Sequence, residues 1–314
     1  RLDYKYGLHI FHEISPCATM NPQAFALSYL LLISAAVYGG STSNVLRPVP
    51  NSSSGSDSSE EFDQYLTDPG KFSQSASGSI PSSFDARSKW ARCPSVSKVP
   101  YQGCCDASFA IVPTSVMTDR TCIVTNRTDV VYSAYDPIAC CDSCVHWSRD
   151  KCRGGRSEEV WKYWANTGIV TESCLTYPYF RDCRQQTCPS RCTSMGSRTV
   201  ASDKRKGQMY YTVSSGVQGI QQEIMKNGPV EANFDMYLDF ATFTGTGIYR
   251  HTRGPFLSKH SVKIIGWGTE AGTDYWLIVN TFGEQWGNGG IAKFLRGKDH
   301  LGIESMVNAA LPSQ

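Results

Sequence analysis

The sequence predicts an α+β protein, with a helical, cysteine-rich half followed by a β-rich half. Three observations carry this. Residues 157–167 place Val160, Tyr163 and Trp164 on one helical face, with Gly168 positioned as a C-cap. Downstream, residues 261–268, 275–280 and 291–295 are runs of β-forming residues separated by glycine-containing turns. Most of the 13 cysteines lie between Cys104 and Cys192, upstream of those strands.

That cysteine density exceeds ordinary cytosolic usage and implies a disulfide framework made in an oxidising compartment. Cys141 and Cys144 have zinc-like spacing, but no second Cys-x-x-Cys or paired His follows at the interval a zinc site needs. No cofactor or metal is therefore expected. Length and charge set further bounds. The 314 residues can bury a substantial core, and 30 basic against 28 acidic side chains give no basic stripe for a nucleic acid.

The amino-terminal region divides by composition. Residues 1–19 show no periodicity and are an unassigned upstream segment. Residues 24–37 are uncharged and apolar, too short for a comfortable span, and end in small residues. This fits a signal peptide over residues 20–41 and leaves no membrane span after its removal. Residues 42–79 are rich in Ser, Gly and acidic residues and read as a disordered linker. Asn51-Ser52-Ser53 and Asn126-Arg127-Thr128 are glycosylation sequons.

The body occupies residues 80–314, a helical lobe over about 80–195 and a β lobe over about 196–314. Its central segment is Gln102-Gly103-Cys104-Cys105-Asp106-Ala107-Ser108-Phe109-Ala110. Far downstream come Ser258-Lys259-His260-Ser261 and Asn280-Thr281-Phe282, then Trp286-Gly287. In this order and local context, these segments resemble the papain-like cysteine proteases, cathepsin B most closely. The resemblance starts at Ile80-Pro81-Ser82-Ser83-Phe84 and covers about three quarters of the chain. It implies a two-lobed papain-like fold with a cleft between the lobes.

The resemblance also implies roles. In that family a thiolate attacks the peptide carbonyl, a His carries the proton, an Asn orients the His, and a Gln helps to stabilise the oxyanion. The matching residues here are Ser108, His260, Asn280 and Gln102. Gly154 and Gly155 match a glycine pair along which substrate backbones bind, and Glu304 matches an acid that receives a basic side chain. Ten cysteines pair by analogy as Cys93–Cys122, Cys105–Cys152, Cys140–Cys188, Cys141–Cys144 and Cys174–Cys192. Cys104 and Cys183 are left over, Cys104 being free on this pairing.

The departures cluster. The family's Cys-Gly-Ser-Cys-Trp becomes Cys105-Asp106-Ala107-Ser108-Phe109, with a serine at the nucleophile position. A serine hydroxyl ionises far above a cysteine thiol and cannot form the resting ion pair with an imidazole. Asp106 puts a carboxylate beside that position, and Pro113 sits inside the helix that follows, predicting a kink. Lys259 replaces a Gly, and Phe282 replaces the Trp that shields the Asn–His bond. Only four residues, Arg184 to Thr187, separate Cys183 from Cys188 and none is a His, so the exopeptidase loop is missing. No amphipathic inhibitory helix precedes the body.

Three functions follow. The leading one is a monomeric pseudoprotease of the secretory route, extracellular or lysosomal, that binds peptides, proteins or cystatin-like inhibitors without cutting them. The second is an active endopeptidase with weak or serine-based activity. The third is a disulfide-stapled extracellular binding protein.

Overall fold

Strand β5 (Phe256–Glu270) organises the sheet. It is buried continuously from His260 to Gly268, and β3 (Val230–Tyr237) and β6 (Thr273–Val279) flank it in antiparallel register. The computed structural model describes residues 79–178, 187–194, 196–213 and 216–313. The expected leader and linker, and Cys183, lie outside these residues, apart from residue 79.

Among the described residues the other strands are β1 (Phe84–Asp85), β2 (Gly207–Thr212), β4 (Ile248–Tyr249), β7 (Ile291–Leu295) and β8 (Val307–Pro312). The sheet order is β2-β8-β3-β5-β6-β7-β4, with β1 on the far end of β5. All pairs are antiparallel except β4 with β7. β5 begins five residues before the apolar run that predicts it. Phe256 to Lys259 are not a hydrophobic pattern, yet they complete the ladder opposite Asp235, Met236 and Tyr237.

The helices are α1 (Ala86–Lys89), α2 (Ser108–Thr125), α3 (Tyr135–Cys140), α4 (Ser157–Asn166), α5 (Val200–Asp203), α6 (Gly216–Asn227) and α7 (Leu238–Ala241). α4 ends as its sequence predicts. The Thr167 and Gly168 N–H groups both return to Tyr163 O, at 2.8 and 2.9 Å, and Gly168 takes φ +89°. α2 runs without interruption through Pro113, which cannot donate the usual hydrogen bond. Its residues from Ser108 to Thr114 are all buried, so tertiary packing outweighs the lost hydrogen bond.

The molecule is α+β, and two large apolar cores stand out among the described residues. One joins α2, α3 and α4 through Phe109, Ile111, Met117, Ile138, Trp161 and Trp164. The other lies on the sheet around Phe234, Phe240, Ile264, Trp276, Trp286 and Phe294. The chain ends cross over: Ala86 and Trp90 pack with Ile265 and Val279, and Ala310 enters the helical core.

Among the described residues, disulfides link Cys93–Cys122, Cys105–Cys152, Cys140–Cys188, Cys141–Cys144 and Cys174–Cys192. The Cys141–Cys144 bond removes the zinc-like reading of that pair. Cys104 is not free, as the pairing by analogy leaves it: it too is disulfide-bonded.

Two buried cations of opposite origin hold the cores together at α2. Lys263, on β5, donates to Asp119 Oδ2 at 2.8 Å, Ser115 Oγ at 2.9 Å and Ser95 O at 3.3 Å. Arg120, on α2, pairs with Glu223 at 2.8 Å and donates to the carbonyls of Gly228, Pro229 and Ala310. Removing one partner of such a pair strands a buried charge and costs ~3–5 kcal/mol. Asp119→Ala is therefore expected to lower the unfolding free energy by that amount in urea titrations with disulfides intact. The double variant Asp119→Leu/Lys263→Met should recover most of it, because no charge is then left buried.

Candidate active-site cleft

α2 starts beside β5, and this brings the two halves of the candidate site together. Ser108, the first residue of α2, is 3% exposed, and the Ser261 N–H donates to its Oγ at 3.3 Å. His260 is the neighbour of Ser261 on β5, and it is 1% exposed. The β5–β6 register pairs Lys263 with Val279, so Asn280 follows as a diagonal neighbour of His260. Its Oδ1 lies 2.8 Å from His260 Nε2 and also accepts the Thr281 N–H at 2.8 Å.

Gln102 joins from the turn before α2. Its N–H donates to Thr281 O at 2.8 Å, and Thr281 Oγ1 donates to Gln102 Oε1 at 2.5 Å. Tyr177 OH holds the Gln102 carbonyl at 2.8 Å. Gln102, Ser108, His260 and Asn280 thus form one connected group. Thr281 and Tyr177 are supports that pattern reading missed; Thr281 was the easier to find, since it adjoins Asn280.

The imidazole sits in an apolar box. Phe282 lies 4.9 Å from His260, ring to ring, Phe234 lies 5.9 Å away and Phe240 6.0 Å away. Trp286 stands 6.2 Å behind Phe282. Burial drives the His260 pKa down to about 4, and the Asn280 bond opposes this only in part. The ring is therefore a neutral, weak base. Its Nδ1 is buried and has no hydrogen-bond partner, so the Ser108 hydroxyl is not bonded to it.

The opposite wall is built on the Cys105–Cys152 bond. Asp106 N–H donates to Cys152 O at 2.9 Å, and Asp106 forms a parallel bridge with Arg153. Gly154 and Gly155 follow. Gly155 is tied to Val145 by bonds from His146 N to Gly154 O and from Arg156 N to Cys144 O, at 3.1 and 2.8 Å. In this bridge type the N–H and C=O of Gly155 itself turn away from Val145, as a strand edge. A side chain at Gly155 would collide with Cys144 O and the Phe109 ring, so glycine is required there. A Cβ on Gly154 would lie 3.2 Å from Asp106 Oδ2. Burial raises the Asp106 carboxyl to about 6.

Glu304 stands apart from this group. Its Oε1 accepts from Trp276 Nε1 at 2.9 Å and Gly297 N at 2.6 Å, and its Oε2 from Asp299 N at 2.9 Å. These bonds commit both oxygens to the β lobe. A separate cavity of about 430 Å³ lies against another face of α2, lined by Val99, Tyr101, Ile111, Thr118, Tyr132 and Glu172 among others. It includes none of the four clustered residues.

Comparison with known proteins agrees with this geometry. The profile described as "Papain family cysteine protease" matches residues 80–311. The chain belongs to the papain family of cysteine proteases. Within it the likeness is to cathepsin B. A "Cathepsin B-like cysteine proteinase" of Schistosoma japonicum is 38% identical, over 74% of this chain and 73% of that protein. A "Gut-specific cysteine proteinase" of Caenorhabditis elegans is 37% identical over the same shares. The solved structure of "proCathepsin B S9 from Trypanosoma congolense" superposes with a TM-score of 0.70 at 34% identity, over 76% of this chain and 80% of that one. The family acts on peptides, and the disulfides suit an oxidising compartment. Among the described residues no helix is long and apolar enough to cross a membrane.

The two perturbed groups make opposite contributions to acid stability. His260 stays neutral to about pH 4 when folded but takes a proton near 6.5 when unfolded, so its contribution is full above 6.5 and lost as pH falls toward 4. Asp106 takes its proton near 6 when folded and near 3.8 when unfolded, so its contribution is full below 3.8 and lost as pH rises through 6. Asp106→Asn is accordingly expected to be more stable than the native chain at pH 7.5, by on the order of 2 kcal/mol. That advantage should vanish between pH 6.5 and 4 in urea titrations. A pH-independent difference would mean that the carboxyl titrates as an exposed one.

Proposed function

We propose that this chain is a pseudoprotease: a papain-fold protein that binds extended peptides along its cleft and does not hydrolyse them. One observation carries the reading. The base that would activate a nucleophile, His260 Nδ1, has no hydrogen-bond partner, while Ser108 Oγ accepts a bond from the Ser261 N–H. A hydroxyl needs a strong, oriented base, and serine hydrolases supply one by placing a carboxylate behind the His. Here the residue behind His260 is the neutral Asn280, and the ring's pKa of about 4 leaves it little appetite for a proton.

Other features support binding. The Gly155 edge suits main-chain pairing with an extended segment, as in strand addition. Gln102, His260 and Asn280 play the family roles of oxyanion donor, base and orienting residue as geometry only, with Ser108 in the nucleophile place. Glu304 is a weak candidate for a basic side chain, since its oxygens are already bonded. The natural ligands on this reading are peptides or cystatin-like proteins met along the secretory route by a monomer. The retained His260–Asn280 bond at 2.8 Å favours one rival, a weak serine-based peptidase.

Ser108 variants separate the two. On basic dipeptidyl substrates, the native chain and Ser108→Ala should both stay at background. Ser108→Cys should gain turnover by about a hundredfold or more, because the thiol can form an ion pair with His260 at the helix N-terminus. Turnover by the native chain that disappears in Ser108→Ala would overturn the pseudoprotease reading.

A further inference from the structure

Asp106 is a carboxylate on the ligand's path with nothing to neutralise it. The segment holding it is fixed by the Cys105–Cys152 bond, by Asp106 N to Cys152 O at 2.9 Å, and by the bridge to Arg153. These place Asp106 between Ser108, two residues on, and the Gly154–Gly155 edge. Its Oδ2 lies against Gly154, 3.2 Å from where a Cβ would stand. A peptide that pairs with Gly155 and presents a carbonyl at Ser108 must cross this contact.

No described residue bonds the carboxylate. The nearby cations are engaged elsewhere: Arg153 with Asp150 at 2.6 Å, and the Arg156 guanidinium with Ser143 O at 3.3 Å. Burial alone shifts the Asp106 carboxyl, with no opposing cation. Such a group is stabilised by any partner that brings a positive charge into the same pocket. Glu304, the acid that resemblance points to, already accepts three bonds, from Trp276 and two backbone N–H groups.

We propose that Asp106 is the specificity-determining acid of the cleft, selecting peptides with an Arg or Lys side chain at the residue whose carbonyl faces Ser108. The inference rests on the peptide-binding reading and adds the class of ligand. The charge that matters is a side-chain cation; a ligand's amino terminus lies further back along the edge. An ionised pair held out of bulk water, with a geometry fixed by a disulfide, discriminates more strongly than a surface pair.

The test is calorimetric titration of the full chain, near pH 7.5, with acetyl-Leu-Val-Arg-amide and its citrulline counterpart. The two peptides share size and shape, but citrulline has a neutral urea with a carbonyl oxygen in place of one guanidinium NH2, and acetylation removes the terminal amine. The arginine peptide is expected to bind at least about tenfold more tightly. In Asp106→Asn, and in Asp106→Gly, which restores the family's glycine, the ratio should fall to near one while citrulline affinity is kept or improved. Thermal unfolding checks that both variants are folded, and either variant alone suffices. A native ratio near one, or a preference that survives both variants, overturns the assignment of Asp106 and leaves the peptide cleft standing. If neither peptide binds the native chain, the peptide-binding reading itself falls, and the assignment with it.

Discussion

The buried contact between Lys263 and Asp119 sets where the candidate site is. Lys263 belongs to β5, three residues beyond His260, and Asp119 belongs to α2, eleven residues beyond Ser108. An ammonium and a carboxylate this deeply buried have no acceptable arrangement except with each other and with the Ser95 and Ser115 oxygens around them. The pair adds little net stability over an apolar contact of the same shape, but it is intolerant of a sliding helix. Arg120, one residue further along α2, fixes the same helix to the carbonyls of Gly228, Pro229 and Ala310. The two anchors leave the N-terminus of α2 one position to occupy, against Ser261 and His260.

The residue at that position is Ser108, which carries no charge. A helix N-terminus and an imidazole jointly stabilise a thiolate. With an uncharged hydroxyl there, nothing offsets the cost of a buried imidazolium, and the apolar box of Phe234, Phe240 and Phe282 holds the ring neutral. Across the cleft the balance is reversed. Asp106 brings an acid into the segment where the family has glycine, and its carboxyl is held up by burial. On the proposed reading, the cleft offers a carboxylate that can receive a positive charge in place of a reactive sulfur.

Much of the architecture could be read from local pattern. The face of α4, its glycine stop and the apolar cores of β5, β6 and β7 follow from periodicity and turn chemistry. Resemblance to a family supplied the grouping of Gln102, Ser108, His260 and Asn280, which no local pattern contains, because they lie on three separate segments. Two points escaped both routes. Pro113 argues against a helix by propensity, yet α2 runs through it without interruption because packing on nearly every side fixes it. Cys104 is left over by analogy, yet it is bonded, because the family's pairing does not account for every cysteine in this chain.

The sequence by itself determined the chemical inventory: a hydroxyl at residue 108, a carboxylate at 106, a neutral amide at 280 and the strands and helices that bear them. Tertiary structure decided how those groups meet water and one another. Burial shifts the His260 ring and the Asp106 carboxyl in opposite directions, and Ser108 Oγ accepts a backbone N–H while His260 Nδ1 is left without a partner. Their neighbours come from other segments: Phe234 and Phe282 reach His260, Gly154 reaches Asp106, and Ser261 reaches Ser108 across 153 residues, which no local stretch of chain encodes.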